Sequence, residues 1–122
     1  MSIAIQRIYE TDTHQRGHRV LVDRVWPRGI TKERARVDEW LRDLAPSTEL
    51  RKWFKHDPSR WDEFRTRYRV ELTVQRDELK RLKHIANETT LVLLYGAKDT
   101  EHNQAVVLAE VLQEKECANQ PR

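Results

Sequence analysis

The sequence has little of what announces several large protein classes. Cysteine occurs once, as Cys117 near the end of the chain, so no disulfide can close within it and no CxxC pair exists for metal or redox work. A reducing cytoplasm is the setting expected from that usage. No run approaches the roughly 20 apolar residues of a membrane-spanning helix, so no membrane partner is expected. The opening MSIAIQRIYETD carries Glu10 where a signal peptide would be apolar. A P-loop, a GxGxxG fingerprint, a GxSxG elbow and HExxH spacing are all missing, so neither a nucleotide cofactor of those kinds nor an elbow serine is expected. With no repeat, low-complexity segment or linker, residues 1–122 read as one domain. Its tail after about Lys115 lacks apolar pattern and is expected to fray.

Charge is what the chain does have. Lys and Arg number 23 against 20 Asp and Glu, a formal net charge of +3, and charged residues make up 35% against 38% apolar. The apolar residues are grouped and periodic, which separates the chain from disordered sequences of similar charge. So mild a positive excess permits an anionic ligand. It falls well short of the bias of a dedicated nucleic-acid binder.

The order of elements predicts an α/β domain, a small and mainly parallel sheet of about three strands flanked by helices. Ile3, Ile5 and Ile8 mark a first strand, RVLVDRV a second, and TLVLLYG a third. The second and third are continuous apolar runs of the kind buried on both faces. Between them, Thr31 is a plausible N-cap for a helix carrying Val37, Trp40, Leu41 and Leu44, stopped by Pro46. Ser47 can cap a helix with Leu50, Trp53 and Phe54. Asp57-Pro58 then opens a long central helix, striped by Trp61, Phe64, Tyr68, Leu72, Leu79 and Leu82 and ending near His84. A last helix holds Val107, Leu108, Val111 and Leu112. A helical crossover is what a parallel pair of strands needs.

In open parallel sheets, ligands gather beyond the carboxyl ends of the strands. The run VLVDRVWPRG delivers Asp23, Arg24, Trp26 and Arg28 to such an end, and TLVLLYGAKDTEHN delivers Tyr95, Lys98, Asp99, His102 and Asn103. Parallel neighbours would bring both sets to one edge. There Arg24, Arg28 and Lys98 would hold an anion. Asp23 and His102 are the candidate catalytic acid and base, Trp26 and Tyr95 would wall the pocket, and Asn103 would line it. Each has a plainer reading: Asp23 and Arg24 as an ion pair, Asp99 as the cap of the last helix, the aromatics as packing. Adjacent strand residues point to opposite faces, so Asp23 and Arg24 need not share a task. A metal site drawn from Asp23, His56, Asp99 and His102 has no supporting spacing, and none is expected. The competing reading places a nucleic-acid or regulatory surface on Arg60, Arg67, Arg69, Arg76 and Lys83 of the long helix. Acidic residues are interleaved there, as on a solvated face with i, i+4 pairs.

The phrases RVLVDRVWPRG, DEWLRDLAPSTELRKWFKHDPSRWDEF and LVLLYGAKDTEHNQAVVLAEVL resemble the YeaO-like branch of the domain-of-unknown-function family 488, from Ile3 to about Leu112. The resemblance implies a compact α/β domain with a small sheet and no established activity. The wider family often has a cysteine-containing phrase after its last strand. This chain has Tyr95-Gly96-Ala97-Lys98 and His102-Asn103-Gln104 there, so the resemblance carries over no thiol or metal role, while the His and Lys are compatible with a polar site.

Overall fold

A computed structural model describes residues 1–10 and 16–114. Cys117 and the tail expected to fray lie outside the described residues, as do five residues of the first loop. The elements run β1 (Ser2–Arg7), β2 (His18–Leu21), α1 (Lys32–Ala35), β3 (Glu39–Trp40), α2 (Thr48–Phe54), α3 (Trp61–Leu72), α4 (Arg76–Glu88), β4 (Thr90–Tyr95) and α5 (Gln104–Gln113). Short 3-10 turns occupy Arg42–Leu44 and Pro58–Arg60.

The fold is α/β, with four strands in the order β1-β4-β2-β3 and every pairing parallel. The last strand in sequence is therefore central. It is flanked by β1 and β2 in registers such as Ile5↔Leu93 and Val20↔Leu93, and Leu91 to Leu94 are fully buried. This explains its unbroken apolar run, since both faces and both edges are covered. On one face Val20, Val22, Leu91, Leu93 and Tyr95 pack against Leu50, Phe54, Phe64, Tyr68, Leu72, Leu82, Leu108 and Leu112 of the helices. Burying each large side chain contributes roughly 1.5–3 kcal/mol. The other face carries Leu21, Val92 and Leu94 under Ile8, Ala35 and Val37, with Trp26, Ile30 and Trp40 beside them.

The helix expected over residues 31–45 does not form as one unit. Thr31 caps α1, its side chain accepting from Arg34 N–H. The helix then stops at Arg36, whose φ of 54° lies in the left-handed region. Asp38 N–H donates to the Arg19 carbonyl (2.8 Å), Leu41 N–H donates to the Leu21 carbonyl (2.9 Å), and Glu39–Trp40 adds a fourth strand. The apolar spacing had a different cause. Val37 and Trp40 serve one face of the sheet, and Leu41 and Leu44 serve the other, because the chain crosses the sheet edge between them.

The long central helix is likewise two. Pro58 begins a 3-10 turn, with Asp57 accepting from Ser59 N–H (3.0 Å), and leads into α3. The stripe from Trp61 to Leu82 is real, but the chain turns at Thr73–Gln75 between α3 and α4. The Thr73 hydroxyl donates to the Val70 carbonyl (2.6 Å) and Gln75 N–H to that of Leu72 (2.9 Å). A threonine that bonds back onto the helix competes with its continuation. Ser47 does cap α2, accepting from Leu50 N–H (3.1 Å) while its own hydroxyl donates to Glu71 (2.6 Å).

Candidate functional site

The hydrogen-bonded ladder of β2 and β4 continues one step past β2, through Val22 N–H to the Leu94 carbonyl (3.0 Å). The next residues on each chain are Asp23 and, after Tyr95, Gly96. The two turns do meet. Gly96 N–H and the Gln104 side-chain amide both donate to the Asp23 carboxyl, and the same amide nitrogen donates to the Val22 carbonyl (3.2 Å). One carboxyl thus joins the end of β2, the end of β4 and the first turn of α5. A Cβ on Gly96 would stand 2.7 Å from an Asp23 carboxylate oxygen, so the close approach is what requires glycine there. Burial pushes the Asp23 carboxyl up to about 6, against the opposing pull of Gly96 N–H, Gln104 and the Arg51 guanidinium on α2.

Arg24 points elsewhere. Its Nε donates to the Pro46 carbonyl (3.2 Å) and a terminal nitrogen to the Ala45 carbonyl (3.0 Å). The guanidinium anchors the connection into α2 through these backbone carbonyls and lies 3.9 Å from the Asp43 carboxylate. Trp26 donates from Nε1 to the Ile30 carbonyl (2.6 Å) and meets Trp40 edge-on at 5.3 Å, on the thinly covered face of the sheet. Tyr95 is only 3% exposed and lies in the core of the helical face. Its phenol is pushed up, first by burial. Trp26 and Tyr95 therefore do not wall one pocket.

The turn before α5 is tied internally. Asp99 accepts from the N–H groups of Glu101 (2.9 Å) and His102 (3.0 Å) and meets His102 Nδ1 at 2.9 Å. These contacts hold its carboxyl below the usual range, the Glu101 N–H first. The His102 ring lies edge-on to Trp61 at 5.2 Å. The cap of α5 is Asn103 and not Asp99: its Oδ1 accepts from Val106 N–H (3.2 Å) and its amide donates to the Asp99 carbonyl (2.9 Å). At 2% exposure Asn103 is spent on that cap, which corrects its expected place among ligand-binding residues. Among the described residues, no three His, Cys, Asp or Glu side chains gather as a metal site would need.

Arg28 and Lys98 are exposed at the outlet. Arg7 lies nearby, donating from Nε to the Ala97 carbonyl (2.8 Å) with its guanidinium 4.7 Å from the centre of the Tyr9 ring. The Tyr9 hydroxyl donates to the Arg28 carbonyl (3.0 Å). Arg7, Arg28, Arg51 and Lys98 enter no ion pair among the described residues. On the helices, Arg65 meets Glu110, Arg67 meets Glu63, Arg69 meets Glu114, and Arg81 meets both Glu39 and Glu78. Two parts of the outlet escaped the sequence reading, Arg51 and Gln104. Gln104 follows the polar cluster directly. Arg51 sits on a helix far from either strand end in sequence, and no local pattern marks it.

No helix among the described residues is long and apolar enough to cross a membrane. No solved structure matches the chain. The uncharacterized protein YeaO of Escherichia coli strain K12 is 46% identical over 112 residues, covering 92% of this chain and 97% of that protein. The uncharacterized protein Rv3073c of Mycobacterium tuberculosis strain H37Rv is 39% identical over 110 residues, covering 90% and 92%. The uncharacterized protein Mb3100c of Mycobacterium bovis matches to the same extent. A family model described as the inactive DUF488-N3 subclade covers residues 2–121. With that coverage and those identities, the chain belongs to the DUF488 family.

Proposed function

We propose that this protein is a single-domain cytoplasmic binding module that takes a small anionic ligand, carboxylate- or phosphate-bearing, where β2 and β4 end. The observation that carries the reading is the Asp23 junction, where two strand ends and the start of α5 converge with Arg51 acting on the carboxyl. Arg28 and Lys98 supply exposed positive charge that enters no ion pair among the described residues, and Arg51 adds charge that already acts on Asp23. Gln104 and Asp23 supply directional hydrogen bonds. Arg51 replaces Arg24 in the role of anion holder, because Arg24 is committed to the carbonyls of Ala45 and Pro46.

Binding without turnover is the better reading of this set. Asp23 and His102, the acid and base candidates, are held by Gly96 and Gln104 and by Asp99 and Trp61 respectively. The family model's own description as inactive agrees with that. A nucleic-acid surface on α3 and α4 draws less support, since Arg60, Arg67 and Arg69 of the set that would form it meet Asp57, Glu63 and Glu114.

The test is a titration with inorganic phosphate at low ionic strength, followed by amide NMR. Binding at the outlet shifts Gly96, Ala97 and Gln104, and Arg28→Ala with Lys98→Ala weakens it severalfold. If those amides stay still, or if the double variant binds as the parent does, the reading is wrong. Retention on a nucleic-acid column that drops when Arg67, Arg69 and Arg76 become alanine would favour the helical surface instead.

A further inference from the structure

The helices form a second concavity, built from residues that take no part in the outlet. Along α4, Arg76, Leu79, Lys80 and Lys83 are spaced i, i+3, i+4 and i+7, so one face of that helix is apolar and cationic at once. Together with Leu72 of α3 and Val111 of α5, this face borders an open groove of about 750 Å³. Leu72 is buried, and Leu79 and Val111 are half-buried against the core. The cations differ in how far they are already used. Arg69 meets Glu114 and lies 3.9 Å from Glu110, and Lys83 Nζ donates to the Glu114 carbonyl (3.4 Å). Arg76 and Lys80 are exposed and enter no ion pair among the described residues. With Asp77 and Glu114 as its carboxylates, the lining sets four cationic groups against two anionic ones.

A bare phosphate would leave Leu79 and Val111 uncovered, and an uncharged apolar molecule would leave Arg76 and Lys80 unanswered. A ligand with an anionic head and an apolar body satisfies the whole lining. Arg and Lys suit such a rim, because their methylene stems extend an apolar surface while their charged ends stay in water. The volume lies within the roughly 300–1,000 Å³ of ordinary small-molecule sites, whereas a nucleic-acid strand calls for an extended basic track. We infer that this groove binds a small amphiphilic carboxylate. Its head meets Arg76 and Lys80, and its apolar body lies along Leu72, Leu79 and Val111. No covalent bond is made or broken. The site is separate from the outlet and does not rest on the reading of it.

Octanoate is the probe, with octanol as its uncharged counterpart and acetate as its head alone. Each is titrated at neutral pH into the full chain and followed by amide NMR, the Leu93 amide of β4 serving as the check on the fold. Octanoate is expected to shift the Thr73, Lys80 and Val111 amides. It should bind several times more tightly than hexanoate, since each buried methylene adds up to about fourfold. Octanol shifts the same amides more weakly, and acetate leaves them in place. Arg76→Gln with Lys80→Gln, both on the exposed rim, should weaken octanoate by about tenfold and leave octanol as before. Val111→Thr keeps the shape of the wall, adds a hydroxyl to it and weakens both ligands severalfold. Octanoate that moves none of these amides overturns the inference. So does a double variant that binds octanoate as the parent does, octanol that binds as tightly as octanoate, or hexanoate that does so. Octanoate shifts confined to Gly96 and Gln104 would take the ligand to the outlet, overturning the groove and supporting the reading above. Groove amides that respond to anionic phospholipid vesicles or to rising protein concentration, but not to octanoate, would assign this face to a membrane surface or a second copy and overturn the small ligand.

Discussion

The change Asp23→Asn turns the least comfortable group of the fold into a neutral one, and its effect on stability can be worked through. In the folded chain the carboxyl is raised from its ordinary 3.8 to about 6, burial being the largest cause. At about 1.4 kcal/mol for each factor of ten, ionised Asp23 costs the folded state about 3 kcal/mol at neutral pH. The raised value means that the folded chain holds the proton more tightly than the unfolded one. The contribution is thus complete below about pH 4 and is lost as pH rises through about 6. An asparagine has one accepting oxygen where the carboxylate has two, its other end being a donor, and losing one of the Gly96 and Gln104 bonds costs about 1 kcal/mol. The net expectation is a variant more stable than the parent by about 1–2 kcal/mol at about pH 7.5, with the advantage gone or reversed near pH 4. Urea unfolding followed by tryptophan fluorescence at several pH values measures this directly. A difference that does not change with pH would refute the reasoning. So would a variant less stable than the parent at neutral pH by 1 kcal/mol or more.

Other perturbations separate the roles assigned to neighbouring residues. Gly96→Ala sets a methyl against the Asp23 carboxylate oxygen at 2.7 Å and should cost about 2 kcal/mol. Gly29→Ala has open space but a φ of 79° and should cost only about 1 kcal/mol, as thermal melts of the two would show. Arg24→Ala leaves the buried Ala45 and Pro46 carbonyls without their donor and should lower stability by about 2 kcal/mol in chemical unfolding, while phosphate-induced NMR shifts at Gly96 persist. Asn103→Ala removes the cap of α5 at a cost of about 1 kcal/mol, visible in the same melts, and Asp99→Ala should lose less from that helix.

The sequence was most legible where one cause acts on one stretch. The run from Thr90 to Tyr95 could only be a buried strand. The meeting of its outlet with that of the other buried strand followed from parallel pairing alone. Residues 31–45 misled because two periodicities coincided: Val37, Trp40, Leu41 and Leu44 sit at helical spacing while serving opposite faces of the sheet. The break between α3 and α4 carried no glycine or proline, and Thr73 with its backbone bond is a quiet signal. Within the site the residue types were well chosen but their partners were not visible. Arg24 looked like an anion holder because its chain neighbour is Asp23, and only the fold reveals the carbonyls that claim it. Arg51 was invisible for the opposite reason, since nothing local distinguishes it from any other exposed arginine on a helix.

The sheet order also governs how this protein must come into being. Because β4 is central, Ser2 finds its partner in Thr90, 88 residues later, and β2 waits for the same strand. Closing loops of that length is slow compared with forming helices. A ribosome adding about 5–20 residues per second would therefore leave β1 unpaired and β2 without its central partner for seconds, while β3 is already available to β2 and α2, α3 and α4 assemble from local contacts. Nascent chains ending before Thr90 should be helical yet without the four-stranded sheet, having at most the short β2–β3 pair. The Asp23 junction, which needs Gly96 and Gln104, would be among the last parts of the molecule to exist.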